Sequence, residues 1–394
     1  MQHPERLSAP LLSEEENRLL DALTRAILDV DPLDDEAWRP WSDATLDAHA
    51  LPLFARQYRS NEALRALCDR RGCTPETISS WREIPAIPTD AFKFMRMSVA
   101  SAEQTIRTFR TSGTTQSERG EHHFATLDVY AAALRQSFRR YALPDRESIR
   151  MIILAPAAAD LEESSLSFML TELCAELGEH GSVHVIRRVD DELFYDMPAL
   201  YAQLDAAERE GHPVMLLSTA FALMQLFDAD PSRAWKLPPG SRLMETGGFK
   251  GRSREVSREE LYALFTTRLG LPASHCLSEY SMTELSSQAY SNTLWRAVVG
   301  EQHEDAASRG RYEVPPWVRL QIVDPLSLEP IDEPDKVGLV RWFDLANTES
   351  SMVIQTSDRG KLDARGRLTL LGRAPDSELR GCSLTIEELL EGNA

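Results

Sequence analysis

Positive charge is scarce in this chain. Lysine and arginine number 43 against 62 aspartates and glutamates, giving a formal net charge of −19 at pH 7. An acidic body repels phosphate backbones and anionic bilayers, which argues against nucleic acid or an anionic membrane surface as the main partner. Cysteine is sparse too. The five (Cys68, Cys73, Cys174, Cys276, Cys382) are odd in number and form no paired C-x-x-C. That excludes a disulfide framework or a zinc site and reads as reduced cytosolic thiols. No apolar run approaches the ~18 residues of a membrane helix. The opening MQHPERLSAPLLSEEENRLL lacks the basic and apolar regions of a signal peptide. No G-x-x-x-x-G-K-[ST] occurs, so a Walker phosphate loop is excluded. Internal repeats and low-complexity tracts are missing as well. The expectation is a soluble, cytoplasmic protein whose 394 residues, 42% hydrophobic, suffice for one large or two ordinary domains.

What is present begins with helix signals. Ser13 followed by Glu16, ahead of an apolar-periodic stretch to Val30, predicts a capped helix, and a second helical region covers about 51–71. The two prolines of IPAIPTDAFKF predict an extended segment. Thr105–Phe109 reads as a strand entering a hydroxyl-rich loop, with a helix predicted after it. Strand runs at Ile149–Ala155, Val183–Arg187, Val214–Ser218 and Arg242–Glu245 then alternate with helical stretches at 163–177, 195–209, Leu223–Phe227 and 257–268. That alternation predicts a mainly parallel sheet covered on both faces. After about residue 310, WVRLQIVD, VGLVRWFDL, MVIQTSD and GRLTLLGR predict a small antiparallel sheet or barrel, and 299–312 is the expected mobile loop.

Four segments carry chemistry. In Arg110–Thr115 (RTSGTT) the hydroxyls of Ser112, Thr114 and Thr115 and the bare backbone of Gly113 can cup an anion. Such a loop is also an ordinary turn. LSEYSMTE places Tyr280, an aromatic able to stack on a base, and Glu284, a carboxylate able to hold Mg²⁺, at a strand end. Asp358 follows a strand where it could accept hydrogen bonds from ribose, and Gly247-Gly248 permits close approach of a flat ligand. The plain alternatives are a core tyrosine, a solvated aspartate and a bulge. Lys250 and Arg252 are candidate phosphate or carboxylate partners, whereas His122-His123 read as solvent-facing and Cys174 and Cys276 as core. The stretch 218–224 could line an acyl pocket or simply pack helix on sheet.

In this order the segments resemble the adenylate-forming enzymes: acyl-CoA synthetases, peptide-synthetase adenylation domains and luciferases. Their motifs read TSGTTGxPK, YGMTE and TGDxGxxDxxGxxxxxGR; here stand TSGTTQSER, YSMTE and TSDRGKLDARGRLTLLGR. The resemblance spans about 105–382 and implies an α/β large domain of two helix-flanked β-sheets plus a small β-barrel-like subdomain at 313–371. It implies ATP and Mg²⁺, with Thr111, Ser112, Gly113, Thr114, Thr115 and Arg119 at the phosphates and Gly247, Gly248, Tyr280, Thr283, Asp358 and Arg373 around the nucleoside. Glu284 would be catalytic through the metal. Gln116, Glu118 and Arg119 replace the glycine, proline and lysine of the loop pattern; Arg119 keeps a positive charge with different geometry. Ser281 and Ser357 stand where the family has glycine.

Only 21 residues follow Arg373, where family members carry a C-terminal domain with a catalytic lysine. That tail holds Cys382 in the run Leu379-Arg380-Gly381-Cys382-Ser383. With IPAIPTDAFK, ETGGFKGRSREVSREEL and RGCSL, the chain is similar to the acyl-protein synthetases of bacterial fatty-acid reductases, the LuxE family. The expected organisation is an adenylating domain over 1–372 and a hinge-like tail at 373–394 carrying Cys382, without the usual full C-terminal domain. The resemblance implies that a carboxylic (fatty) acid is adenylated and that its acyl group passes to Cys382 for delivery to a partner such as an acyl reductase. Adenylation gives the carboxylate a leaving group, and a thiol then stores the acyl group as a thioester. Gly381 is expected to let the thiol swing, Glu378, Glu387 and Glu388 to oppose the thiolate, and Arg380 to favour it. Cys382 could instead be a small buried hydrophobe. Two rival functions remain: a ligase passing the acyl group to coenzyme A or a carrier protein, and a non-catalytic scaffold. Against the scaffold stand Thr111, Glu284, Asp358 and Arg373 together.

Overall fold

The computed structural model describes residues 12–112, 119–190, 192–247, 257–299, 310–375 and 379–391. Gly113, Thr114, Thr115, Gly248, Lys250, Arg252, Glu378 and most of the 299–312 loop lie outside the described residues. The chain opens with helices α1 (Glu14–Leu28), α2 (Asp43–Ser60) and α3 (Glu62–Arg71). Next come β1 (Ile87–Pro88), α4 (Ala91–Phe94), β2 (Arg107–Arg110), β3 (Glu121–Phe124) and α5 (Asp128–Ala142). An alternating stretch continues with β4 (Arg150–Pro156), α6 (Ser165–Leu177), β5 (Val183–Val189), β6 (Glu192–Tyr195), α7 (Met197–Glu210), β7 (Val214–Thr219) and α8 (Ala220–Ala229). It ends with β8 (Arg242–Thr246), α9 (Arg258–Leu269), β9 (Cys276–Tyr280), β10 (Ala289–Ser291), α10 (Thr293–Val298) and β11 (Arg311–Glu313). The last elements are β12 (Val318–Val323), β13 (Gly338–Asp344), β14 (Val353–Leu362), β15 (Leu368–Arg373) and α11 (Arg380–Glu391). The chain divides into two compact units: Met1–Gln136 with Met282–Ser287 and Val314–Ala394, and Ser137–Ser281 with Gln288–Glu313.

The second unit is the α/β alternation expected from the sequence. Its sheet runs β9-β8-β7-β4-β5 with all neighbours parallel, and β6 closes one edge antiparallel to β5. Leu216 of β7 lies between Ile152 of β4 and Leu243 of β8 in register. Strands buried on both faces need unbroken apolar runs, which IRMIILA and VMLLS supply. Leu223, Phe227 and Phe265 of α8 and α9 pack into the same core as Ile152 and Leu216. Ser257 caps α9 in a capping box with Glu260, as its sequence position suggests. Arg242, wholly buried, is held by both carboxylate oxygens of Asp145 at 2.7 and 3.0 Å.

The first unit joins the two ends of the chain. β12, β13, β14 and β15 form an antiparallel meander, and β1 adds in parallel to β14, Ile87 opposite Ile354 and Pro88 opposite Gln355. Helix α1 begins at Glu14 behind the Ser13–Glu16 capping box that the sequence foretold. The helical region at 51–71 is two helices meeting at Asn61. The Asn61 side chain accepts from the Leu64 N–H at 3.2 Å and donates to the Ser350 carbonyl at 3.1 Å, so one residue ends α2, starts α3 and anchors both. On the same face Arg56 donates to the Thr348 carbonyl at 2.8 Å and the Glu349 carboxylate at 3.1 Å, while Gln57 donates to the Asn347 carbonyl at 2.8 Å. Arg56 and Glu349 are both buried, and removing one partner of such a pair costs about 3–5 kcal/mol.

One expected element differs. The loop after β2 leads first into strand β3, antiparallel to β2 with Arg110 opposite Glu121 and Thr108 opposite His123, and only then into α5. A cross-strand ion pair between Arg110 and Glu121 at 2.9 Å closes the hairpin at the loop end. Among the described residues no helix is long and apolar enough to cross a membrane.

Candidate active site

The base of the hydroxyl-rich loop is a closed clasp. The Thr111 N–H donates to the Gly120 carbonyl at 2.9 Å, and the Gly120 N–H donates to Thr111 Oγ1 at 2.8 Å. The Arg119 guanidinium folds back to donate to the Thr111 carbonyl at 2.6 Å. Ser112 is exposed beyond this clasp. A Cβ added to Gly120 would sit 3.2 Å from Phe92 Cβ and 3.3 Å from Thr111 Cγ2, so any other residue presses on α4 and Thr111. The anion-binding stretch itself, 113–118, lies outside the described residues.

The two histidines after the loop are buried, which corrects the expectation that they face solvent. His123 bonds through Nδ1 to Thr108 Oγ1 at 2.9 Å. The His122 ring packs against Phe124 and Phe92, centroids 4.2 and 5.6 Å away. Burial drives both imidazoles down to about 4, so they are neutral at physiological pH. His122 Nδ1–H donates to the Thr283 carbonyl at 2.8 Å, and its Nε2 is buried without a hydrogen-bond partner. This bond ties the strand that leaves the loop to the YSMTE segment, immediately before Glu284. No sequence pattern announced it.

Glu284 is fixed from a second direction. Its carbonyl accepts from Asn347 Nδ2 at 2.8 Å. Directly after it, the N–H groups of Ser286 and Ser287 donate to Asp344 Oδ2 at 2.9 and 2.8 Å, and the Ser287 hydroxyl donates to Asp344 Oδ1 at 2.6 Å. Asp344, wholly buried at the end of β13, therefore pins the Glu284 loop; the sequence reading passed it over. The Glu284 side chain is buried, which pushes its carboxyl up to about 7. Arg373 and Lys93 pull it down and Asp90 pushes it further up. Asp358 and Arg373 stand opposite one another across the β14–β15 hairpin, with Arg373 Nε 3.7 Å from Asp358 Oδ1. Thr111, Arg119, Thr283, Glu284, Asp358, Arg373 and Cys382 all belong to the first unit.

Gly247 and Tyr280 belong to the second unit. Gly247 follows β8 at φ +67° with open space where a Cβ would be. Tyr280 ends β9, its ring 5.9 Å from that of Tyr312. Beside them lies a buried acidic pair that the sequence reading missed. The Glu279 carboxyl hydrogen-bonds the Thr246 hydroxyl, and burial raises it to about 7. The neighbouring Glu245 is raised too, by burial against the pull of Ser278 and Arg258.

A lone buried carboxylate suits Mg²⁺, which keeps several waters and takes one or two carboxylates plus substrate phosphates. Among the described residues no group of three or more His, Cys, Asp or Glu forms a dedicated metal cage. Glu284 as the single protein ligand is compatible with that chemistry.

Cys382 lies in the first turns of α11, packed with Val323, Leu339 and Ala374 and only 5% exposed. Burial pushes its thiol up to about 11; Asp90 adds to the rise and Arg341 opposes it. Asp90 and Arg341 are thus the described charges that act on this thiol. The side chains of Arg380 and Glu387 lie outside the described residues, and Glu388 pairs with Arg71 at 2.8 Å. In this docked arrangement Gly381 also permits close packing: a Cβ there would meet Leu328 Cγ at 2.7 Å and the Leu326 carbonyl oxygen at 3.0 Å. Cys276 is core, as expected, and Cys174 is half-buried.

Residues 14–391 match the family described as acyl-protein synthetase, LuxE. The long-chain-fatty-acid–luciferin-component ligase of Vibrio harveyi is 19% identical over 348 residues, 85% of this chain and 85% of that protein. Among solved structures, MatB from Rhodopseudomonas palustris bound to ATP is 15% identical with a TM-score of 0.46, over 70% of this chain and 49% of that one. The o-succinylbenzoate CoA synthetase of Bacillus subtilis is also 15% identical with a TM-score of 0.46, over 91% of this chain and 73% of that one. The chain spans about half the length of several of the solved structures it matches. The match over residues 14–391 settles the family: the chain belongs to the LuxE acyl-protein synthetases and is an ATP-dependent acid ligase.

Proposed function

We propose that the chain activates a long-chain fatty acid as its acyl-adenylate and then carries the acyl group on Cys382 for delivery to an acyl-receiving protein such as a reductase. The observation that carries this reading is the His122–Thr283 bond. It couples the strand leaving the phosphate loop to Glu284, within the unit that also holds Asp358, Arg373 and Cys382. Thr111, Ser112 and Arg119, with Gly113, Thr114 and Thr115, bind the triphosphate through hydroxyls and N–H groups. Asp358 accepts from the ribose, with Arg373 beside it, and Thr283 is a further nucleoside contact; the family resemblance assigns Tyr280, Gly247 and Gly248 the same ligand. Glu284 would hold Mg²⁺, which would supply positive charge to offset that of the phosphates. Neither nucleic acid nor a membrane span enters this reading, and the few unpaired cysteines favour a reaction in the cytoplasm.

The burial of Cys382 requires α11 to leave its seat on β12 and β13 before the thiol can attack. The same burial favours a second reading, in which coenzyme A or a carrier protein takes the acyl group and Cys382 only packs. Acid-dependent ATP–pyrophosphate exchange and the mass of the intact protein separate the two. Wild type should exchange and gain one hydroxylamine-sensitive acyl group, while Cys382→Ser should exchange normally and gain none. A Cys382→Ser protein that still takes up one thioester-linked acyl group would remove Cys382 from the mechanism. Acyl release to coenzyme A with no adduct on wild type would favour the second reading.

A further inference from the structure

We propose that Lys93 is a catalytic cation of the adenylation step, its ammonium meeting the negative charge that builds on the α-phosphate as the acid attacks. The proposal rests on the adenylating function put forward above and assigns it a residue outside the motifs. Lysine is rare here, 5 residues beside 38 arginines. Lys336 and Lys361 pair with Glu333 and Asp335, and Lys236 lies in the second unit. Lys93 alone among the described lysines stands on a segment joined to the site from three sides.

The first side is the sheet. β1 pairs in parallel with β14, and the Thr89 N–H continues the ladder by donating to the Gln355 carbonyl at 3.0 Å. The chain therefore advances through Asp90 in the same direction as Thr356 to Asp358. The second side is the phosphate loop, where the Phe92 carbonyl carbon and Cβ lie 3.4 and 3.2 Å from the Cβ position of Gly120. The third is the YSMTE segment, reached through the Phe92 ring against His122 and the His122 bond to Thr283. Helix α4 is thus wedged among the three pieces that hold nucleotide. Its Lys93 ammonium is 2.7 Å from Asp90 Oδ1, with both side chains more than a third exposed. A pair that open adds little to stability. Its effect is to hold the ammonium beside the start of α4.

In the step itself a carboxylate oxygen bonds to the α-phosphorus. The bond from that phosphorus to the oxygen bridging to the β-phosphate breaks, and its electron pair leaves with pyrophosphate. Lys93 exchanges Asp90 for a phosphate oxygen and keeps its protons throughout. A compact ammonium on a flexible stem follows the moving charge, which a planar guanidinium does with a different geometry.

The test compares wild type, Lys93→Ala, Lys93→Arg and the surface control Lys336→Ala in acid-dependent ATP–pyrophosphate exchange and in equilibrium ATP binding. Lys93→Ala should lower the exchange kcat by ~10²-fold while the ATP Kd moves by no more than about 3-fold, because the contact is weak in the Mg-ATP complex and strengthens in the transition state. Lys93→Arg should recover part of the rate, and Lys336→Ala should match wild type. A second readout needs no turnover. Mg-ATP should slow acetylation of Lys93 by an N-hydroxysuccinimide ester, followed by peptide mass spectrometry, and leave Lys336 unaffected. Should Lys93→Ala fail to fold, Lys93→Gln and this footprint on wild type decide. An exchange rate within about 3-fold of wild type for a folded Lys93→Ala, or a Lys93 unprotected by Mg-ATP, overturns the assignment. Wild type without acid-dependent exchange would instead overturn the adenylating function.

Discussion

The docked state of α11 sets how slowly Cys382 reacts. Its thiol is pushed up to about 11 from an ordinary value of 9.0. At pH 8 the thiolate fraction falls from ~0.1 to ~10⁻³, a loss of about 100-fold. The more basic thiolate is intrinsically more nucleophilic, which returns ~6–10-fold at a Brønsted slope near 0.4–0.5. The net expectation is a rate about 10-fold lower from ionisation alone, and the 5% exposure of Cys382 lowers it further. Dithiodipyridine with peptide-resolved mass spectrometry measures this, the guanidinium-unfolded chain serving as reference. Arg71→Ala removes the contacts to Glu388 and Thr385 at 2.8 and 3.1 Å, and Gly381→Ala forces a methyl against Leu328 and the Leu326 carbonyl. Both should loosen α11 and speed the reaction severalfold. On the proposed function, Mg-ATP with a fatty acid should speed labelling of Cys382 in a non-acylating mixture quenched before transfer. A folded wild-type Cys382 that reacts as fast as in the unfolded chain would refute the burial argument.

Other perturbations follow from the same geometry. Asp344→Asn replaces a carboxylate that accepts from Ser286, Ser287 and Ala346. With ~1–3 kcal/mol for each buried donor left unmet, urea unfolding should show ~2–4 kcal/mol less stability, and unchanged stability would contradict the pinning role. Glu284→Gln should depress acid-dependent exchange by ~10²-fold, and chelating Mg²⁺ with EDTA should abolish exchange in wild type; near-normal exchange in either case counts against the metal assignment. The Glu279 carboxyl is raised in the folded state to about 7 from its ordinary value of 4.5. The native protein therefore binds more protons in that window, and this contribution to stability is full below about 4.5 and lost as pH rises through about 7. Subtracting the Glu279→Gln stability profile from that of wild type should reveal this decline, and parallel profiles would reject it.

Elements carried by short-range patterns were legible in the sequence. The Ser13–Glu16 and Ser257–Glu260 capping boxes mark their helices because both partners lie within one turn. The unbroken apolar runs of β4 and β7 announce a sheet buried on both faces. Long-range pairings were not legible. Nothing near His122 in sequence reveals that its partner is the Thr283 carbonyl 161 residues on. Charged side chains read as solvated until a distant partner is known: Arg56, Asp344 and Glu349 are all buried. Strand β3 escaped notice because two histidines look polar, yet in the fold they are neutral and packed on aromatic rings.

The pairing of β1 with β14, and of Arg56 with Glu349 293 residues further on, bears on how the protein is made. A ribosome adding 5–20 residues per second leaves the Arg56 guanidinium without its carboxylate for roughly 15–60 s. During that interval the nascent chain presents the inward faces of α2 and α3, with Leu53, Phe54, Leu64 and Leu67, to whatever is nearby. Helices α2 and α3 emerge well before the strands that seat them. Synthesis pauses between β1 and β14 lengthen the exposure, so the chain's yield in a cell depends on translation speed and on holding factors, and not on the stability of the finished fold alone.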